Sequence, residues 1–270
     1  MLFVYILAAG IVLFAFYLFC IAPAGKSGKM QPFENKYIAH RGLFDNENGV
    51  PENSLLSFEN AAKNGYGIEL DIQRTTDDEL VVFHDDSTGR LCGEDICVCG
   101  SESDKLRSLK LLDTDERIPL FKEMLKTVDG RVPLFIEIKP KHDNAATVEL
   151  MMEELKGYKG AYCVQSFNPF ALRYIRKKYP RVPTGQLSTN LFDDNREQPL
   201  FYKITVGSLL VNLISRPDFL SYNIKYANKS SYKIYRTFFK TSDAVWTARS
   251  AAENEEAKKL CSIIIFDKYT

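Results

Sequence analysis

The hydropathy of the chain changes character at residue 25. Residues 1–25, MLFVYILAAGIVLFAFYLFCIAPAG, carry no charged side chain, and the apolar run reaches the roughly 20 residues a helix needs to cross a bilayer. Beyond it, apolar positions fall into short runs rich in Val, Ile, Phe and Tyr, the composition of strands. Such runs occur at KYIAHR (36–41), GIELDIQ (67–73), PLFIEIK (133–139), AYCVQSF (161–167), PTGQLS (183–188), SYNIKYA (221–227), DAVWTA (243–248) and SIIIFD (262–267). Between most of them the apolar spacing turns helical. SLLSFENAAKNG and LFKEMLKTVDG each end on a glycine suited to a helix C-terminus, and NPFALRYIRKKYP begins after Asn168 as a cap and stops before Pro180. Eight strands alternating with helices over about 240 residues predict an α/β fold, a (β/α)8 TIM-type barrel. A doubly wound open sheet fits the same alternation, but no glycine-rich phosphate loop follows the first strand.

One segment breaks the alternation. LVVFHDD (80–86) follows the second strand with only TTDDE between, too short for a crossover helix. A two-residue turn at Asp77-Asp78 predicts an extra antiparallel β-hairpin in which Asp71 faces His84 and Gln73 faces Val82.

The N-terminal run reads as one transmembrane helix, with a cleaved signal peptide as the rival because Ala22-Pro23-Ala24 resembles a small-residue cleavage site. The missing basic n-region and the length of the run favour an uncleaved anchor. The first charges, Lys26 and Lys29, follow the span, so the positive-inside tendency leaves the rest in the cytoplasm, a single-pass arrangement at the cell membrane. The expected organisation is an anchor (1–25), a juxtamembrane linker (26–35) and a barrel (36–270) with a small insertion at 92–117. Lys and Arg (35) balance Asp and Glu (35), which argues against a nucleic-acid partner. CGEDICVC has a spacing that matches no standard zinc pattern, and reduced thiols are the reading for it. LFYKITVGSLLVNLISRPDFLSY (200–222) is unusually apolar; it reads as a barrel helix buried on one face, with an interfacial helix as the alternative. RYIRKKYPR adds a basic run that suits either a solvated face or anionic headgroups.

Ionisable groups on apolar strands are costly unless they are paired, bind a metal or do chemistry. Glu69 and Asp71 stand two apart on one strand and so share a side, and Glu137 and Lys139 repeat that spacing on the next barrel strand. Polar residues at the C-terminal ends of barrel strands converge on one mouth. Three carboxylates there call for a cation, and an all-oxygen set suits a hard divalent ion such as Ca²⁺, Mg²⁺ or Mn²⁺. His40 and His84 supply an acid and a base near neutral pH, and Arg41 and Lys139 supply cations suited to phosphate. Singly, each has a plainer reading: a structural histidine, a strand-end ion pair, or, for Glu52 and Asn53, a cap on the helix near Ser54.

AHRG, PENSLLSFENAAKNG, IELDIQRTTDDELVVFHD, IPLFKEML, FIEIKP, QSF, VWT and IIIFD stand in the order found in the glycerophosphodiester phosphodiesterase family, which the chain resembles from about Tyr37 to Asp267. The resemblance implies a phospholipase-C-like barrel that hydrolyses glycerophosphodiesters to glycerol 3-phosphate and an alcohol. It implies metal ligands at Glu69, Asp71 and Glu137, catalytic histidines at His40 and His84, and phosphate contacts at Arg41 and Lys139. Glu52 would be a ligand or support one, while Gln165 and Trp246 would line the mouth. In the family scheme the substrate's glycerol hydroxyl attacks phosphorus and water opens the cyclic phosphate, with His40 as base and His84 as acid, or the reverse. The chain departs from the family at WTARS, where Arg249 follows in place of an asparagine. Segment 92–117 is expected to trim or lid the mouth. With the anchor, the apolar 200–222 stretch points to a small glycerophosphodiester or a lysophospholipid as substrate. A phosphatidylinositol phospholipase C-like lyase and an inactive membrane-bound binding barrel are the rival readings, and the oligomeric state stays open.

Overall fold

Strand alternation decides which side chains enter a barrel and which face its helices. The computed structural model describes residues 1–25, 28–139, 144–193 and 198–268; Lys26, part of the orientation argument, lies outside them. The strands are β1 (Tyr37–Ala39), β2 (Gly67–Arg74), β3 (Leu80–Val82), β4 (Leu134–Ile138), β5 (Tyr162–Ser166), β6 (Thr184–Ser188), β7 (Phe219–Asn223), β8 (Ala244–Ala248) and β9 (Ile263–Phe266). All but β3 are parallel neighbours in sequence order, and β1 pairs with both β2 and β9, closing an eight-stranded barrel. The helices are α1 (Leu2–Ile21), α2 (Leu55–Lys63), α3 (Gly89–Cys92), α4 (Ser103–Arg107), α5 (Phe121–Val128), α6 (Asn144–Glu154), α7 (Pro169–Lys178), α8 (Leu200–Gly207), α9 (Asn212–Ser215), α10 (Ser230–Phe238) and α11 (Ala251–Leu260). Local chemistry fixes their starts: Ser54 accepts from Ser57 N ahead of α2, and Asn168 accepts from Phe170 N ahead of α7.

Two expectations are corrected. The hairpin pairs Ile72 with Val82 and Gln73 with Val81, one residue away from the predicted register. The loop holds three residues, not two: Thr75 N donates to Glu79 O, and Asp78 takes a left-handed φ of 61°, the geometry of a three-residue hairpin loop. The ladder ends at Val82, so His84 is not bound by strand alternation and still turns toward the barrel mouth, where it lines a cavity with His40. The apolar 200–222 stretch is not one helix; it divides into α8, α9 and the start of β7, which begins at Phe219 and gives way to a 3-10 turn after Asn223.

Met30 and Phe33 close the floor of the barrel against Ile38, Phe135, Phe219 and Ile263. A Cβ on Gly185 would lie 2.2 Å from the Phe219 ring, so only glycine admits that ring to the interior. Segment 92–117 has its own small core, Ile96, Val98, Leu106 and Leu111 packed on Val81 and Phe83. It supplies no wall to the cavity between the histidines, so the expected lid is not found there.

The C-terminal end of α1 is built into the domain. Its last carbonyls, which no helix can satisfy internally, accept from Asn212 Nδ2 (to Ile21 O, 2.9 Å) and from Arg216 Nη1 (to Phe19 O, 2.6 Å). Arg216 also stacks on the Phe19 ring, Tyr17 donates to Ser208 O, and Ile21 is wholly buried, whereas most apolar side chains of the first four turns are exposed.

Gly185→Ala forces a methyl into the Phe219 ring and should destabilise the chain by about 1–3 kcal/mol. Gly207→Ala, which would meet only Thr189 O at 3.7 Å, should be near neutral. Thermal unfolding of the two variants in detergent checks this, and equal midpoints would contradict it.

Candidate active site

The site grows from the register of β2 against β4, which sets Asp71 beside Glu137. Glu69, one inward position lower, completes a trio whose ligand oxygens lie within 4.8 Å of one another, all buried. Unbalanced, such a cluster would cost several kcal/mol. Lys139 Nζ lies 2.9 Å from Glu137 and 3.1 Å from Asp71, Arg41 Nε lies 3.6 Å from Asp71, and Asn53 Nδ2 donates to Asp71 at 2.9 Å. Burial would raise the Asp71 carboxyl, but Lys139, His84 and Arg41 hold it well below the usual carboxylate range. Glu69 goes the other way: burial, then repulsion from Asp71 and Glu137, raises it well above its ordinary value.

Turn geometry brings the cations in. After β1, Arg41 takes a left-handed φ of 55°, and Asn53 takes one of 54° while its N–H donates to Arg41 O at 2.9 Å. Non-glycine residues in this region carry strain that tends to collect at functional sites. Gly42 follows at φ 81°, where a Cβ would strike Ser57. The turn thus packs on the start of α2 and aims His40 and Arg41 inward.

Each histidine is held by a carboxylate that an arginine holds in turn. His40 Nδ1 is 2.7 Å from Asp267, which accepts from Arg249 Nε at 2.8 Å. His84 Nδ1 is 2.6 Å from Asp85, which accepts from Arg90 Nε at 2.6 Å. An ionised carboxylate can only accept, so Nδ1 carries the proton and Nε2 is the nitrogen left free toward the cavity. Burial and Arg41 lower the His40 pKa against the opposing pull of Asp267. Glu52 does not join the trio. Arg90 grips it with both terminal nitrogens (2.7 and 2.9 Å) and Arg41 with a third (2.6 Å); burial opposes this, yet the two arginines pull its pKa down to about 2.

His40, Arg41, Glu69, His84, Glu137, Lys139, Gln165 and Trp246 all line one cavity of about 100 Å³; Asp71 and Glu52 do not line it and meet it through Lys139 and Arg41. Gln165 Nε2 donates to Glu69 at 3.3 Å, while its Oε1 is buried with no partner among the described residues. Trp246 donates to Ser221 O and sets its ring edge-on to Phe167. The residues that sequence reasoning did not assign are Asn53, Asp85, Arg90, Arg249 and Asp267. Asp85 adjoins His84, which is a signal of sorts, and Arg90 stands five residues beyond it; Asp267 meets His40 only through the closed barrel.

The buried all-oxygen trio, its mutual repulsion and the orphaned Gln165 oxygen together fit a hard divalent cation. Because Glu69 holds its proton more tightly than an ordinary glutamate, cation binding should release a proton, and affinity should fall as pH drops through that raised pKa. Calorimetric titration of Ca²⁺ or Mg²⁺ in buffers of different ionisation heat measures the release. Binding without proton release at weakly acidic pH would contradict the assignment.

Residues 40–260 match the glycerophosphoryl diester phosphodiesterase family. A glycerophosphodiester phosphodiesterase of Caldanaerobacter subterraneus subsp. tengcongensis is 32% identical over 165 residues, 56% of this chain and 65% of that protein. Glycerophosphodiester phosphodiesterase 1 of Bos taurus is 30% identical over 203 residues, 69% of this chain and 60% of that one. The match thus spans less than two thirds of the length of either relative. In three dimensions the chain is similar to an Oleispira antarctica phosphodiesterase solved in complex with the product sn-glycerol-3-phosphate, with a TM-score of 0.71 and 20% identity, covering 87% of this chain and 94% of that one. At that identity the likeness is one of fold, while the family match covers most of the sequence. The chain belongs to the glycerophosphoryl diester phosphodiesterase family.

Proposed function

We propose that the chain hydrolyses glycerophosphodiesters to glycerol 3-phosphate and an alcohol, using two histidines and a divalent cation. The observation that carries this is one small cavity lined by two carboxylate-oriented imidazoles, by Arg41 and Lys139, and by Glu69 and Glu137, with Asp71 completing the carboxylate trio. In this reading Arg41 and Lys139 bind the phosphate oxygens, Arg41 through a planar fork and Lys139 as a point charge. A cation held by Glu69, Asp71 and Glu137 would offset the charge that builds on those oxygens. Gln165 and Trp246 line the mouth beside the glycerol.

His40 Nε2 takes the proton of the substrate's free glycerol hydroxyl as its oxygen bonds to phosphorus. The bond from phosphorus to the leaving alcohol breaks, and His84 Nε2 gives that oxygen a proton. In the second half the roles exchange: His84 takes a proton from water as water bonds to phosphorus, and His40 returns its proton to the departing glycerol oxygen. Protons and bonds balance over the two halves, and both histidines end as they began. The attacking hydroxyl belongs to the substrate, so orientation in the cavity supplies much of the rate.

The membrane reading rests on α1. It is 20 residues long and carries no charged side chain, and its buried C-terminal end covers Leu209, Leu220 and Tyr222. Cleavage after Ala24 would uncover that surface, which supports an uncleaved anchor at the cell membrane. The cytoplasmic orientation leans on Lys26 and Lys29, and Lys29 is paired with Asp218 at 2.9 Å.

Released glycerol 3-phosphate, measured on the full chain with glycerophosphocholine and added Mg²⁺ or Ca²⁺, should vanish with chelator. His40→Ala and His84→Ala should each lower kcat by about 10²–10⁴-fold. The acid limb of kcat/KM should lie below 6.5, the ordinary imidazole value, because burial and Arg41 disfavour charged His40; a limb above 6.5 would contradict His40 as the base. Cyclic phosphate as the end product would favour a lyase, and no turnover with metal supplied would favour a silent barrel.

The anchor reading carries its own test. The full chain should stay with membranes after a high-salt wash at its full length, and recovery of a soluble form starting near residue 25 would contradict it.

A further inference from the structure

The length of α1 sets a difficulty that the barrel surface resolves. Over its 20 residues α1 rises about 30 Å, the thickness of a hydrocarbon core. Its last two turns, however, are not free to lie among lipid tails. Phe14 meets Phe238 of α10 edge-on at 5.6 Å, Tyr17 donates to Ser208 O at 3.0 Å, and Ile21 packs among Leu209, Leu220 and Tyr235. The part that precedes these contacts, residues 2–13, rises only about 18 Å. Thinning of the bilayer is opposed at every ångström of such a mismatch. A helix packed in this way spans only if the barrel flank beside its last turns also stands in the apolar layer.

That flank has three properties that hydrocarbon demands and water does not. It is apolar at the right level. Phe238, against Phe14, and Leu213, next to the Asn212 that caps Ile21, are both exposed, as is Ile204 one turn from Ser208. Its polar groups are closed internally. The hydroxyls of Ser208 and Thr237 each donate to the carbonyl four residues back, at 2.6 and 2.8 Å. The end carbonyls of α1 accept from Asn212 and Arg216 side chains, as a helix end away from water requires. Finally, its rim is basic. Between Pro199 and Lys240 stand seven lysines and arginines and a single acid, Asp218, which is buried and paired with Lys29, although the whole chain balances 35 against 35. Long basic side chains lay their stems along apolar surface and place their charges among anionic headgroups.

Resting on the anchor reading, we propose that the shoulder formed by the ends of α8, α9 and α10 is itself a membrane-inserted surface. It sinks into the leaflet in which α1 ends, with its basic rim among anionic headgroups. Phe238 is its deepest side chain, because Phe14 lies about 10 Å along the helix from Ile21. Leu213, beside the helix end, marks the interface. The barrel then rests on the bilayer by its flank and does not hang from a stalk.

The test uses the full chain in vesicles of phosphatidylcholine and phosphatidylglycerol, with bromines on the acyl chains as contact quenchers of tryptophan. Three variants each add one indole: Phe238→Trp on the shoulder, Val12→Trp in the free part of α1, and Leu56→Trp on α2. The parent chain, with Trp246 alone, gives the baseline. The emission added by Phe238→Trp should be quenched nearly as strongly as that added by Val12→Trp, while that of Leu56→Trp stays unquenched. Quenching of Val12→Trp alone, with all variants folded by circular dichroism, would overturn the shoulder and leave the anchor standing. Quenching of none would overturn the anchor and the shoulder with it, and equal quenching of all three would overturn the shoulder as a distinct surface. In phosphatidylcholine alone Phe238→Trp should be quenched less than in the mixture; equal quenching would overturn the part given to anionic headgroups.

Discussion

The parallel register that sets Asp71 beside Glu137, with Glu69 one inward position below, concentrates negative charge on buried side chains, where screening is weak. Much of the upper barrel answers that charge. Lys139 lies against two of the carboxylates, and Arg41 swings in from a strained left-handed turn. Asn53 accepts the same strain two turns of chain later and donates to Asp71. Glu52 and Arg90 then brace Arg41 from behind, and Arg90 continues through Asp85 to His84. One histidine is thereby tied to the acidic cluster through four side chains, and the other meets it directly, His40 Nε2 lying 4.0 Å from Glu69. A change anywhere along this chain of contacts alters the electrostatics of the whole mouth, so single substitutions here should not act additively.

Periodicity was enough to read the eight staves, because a strand buried on both faces leaves a short apolar run that turns and helices bracket clearly. The two-residue spacing of Glu69 and Asp71, and of Glu137 and Lys139, was enough to put them on one side. Hairpin register was not legible to the residue, since one left-handed Asp78 lengthens the loop and slips every pair. His84 nonetheless reaches the mouth, because the ladder stops before it. Asp267 reaches His40 across 227 residues and Arg90 reaches Glu52 across 38, contacts that no local spacing announces. Arg249, a departure from the family pattern, sits on Asp267 and so belongs to the support of His40.

The apolar N-terminus and the barrel also turn out to be one assembly. An anchor joined by a loose linker would leave the catalytic mouth free to face any direction. Here Asn212 and Arg216 cap the helix, and Ile21 fills a pocket among Leu209, Leu220 and Tyr222. The orientation of barrel to helix is set by packing, which makes the direction of the barrel mouth relative to α1 a property of the fold.

The central claim is that the carboxylate trio holds the cation on which turnover depends. The most direct measurement is the rate of glycerol 3-phosphate release as a function of free Mg²⁺ for the wild type and Glu137→Gln, with folding verified for both. The account predicts a half-maximal Mg²⁺ concentration raised about tenfold or more in the variant, as expected when one charged ligand of a hard cation becomes neutral. An unchanged half-maximal concentration, with only the maximal rate lowered, would contradict it and take the cation away from these three side chains.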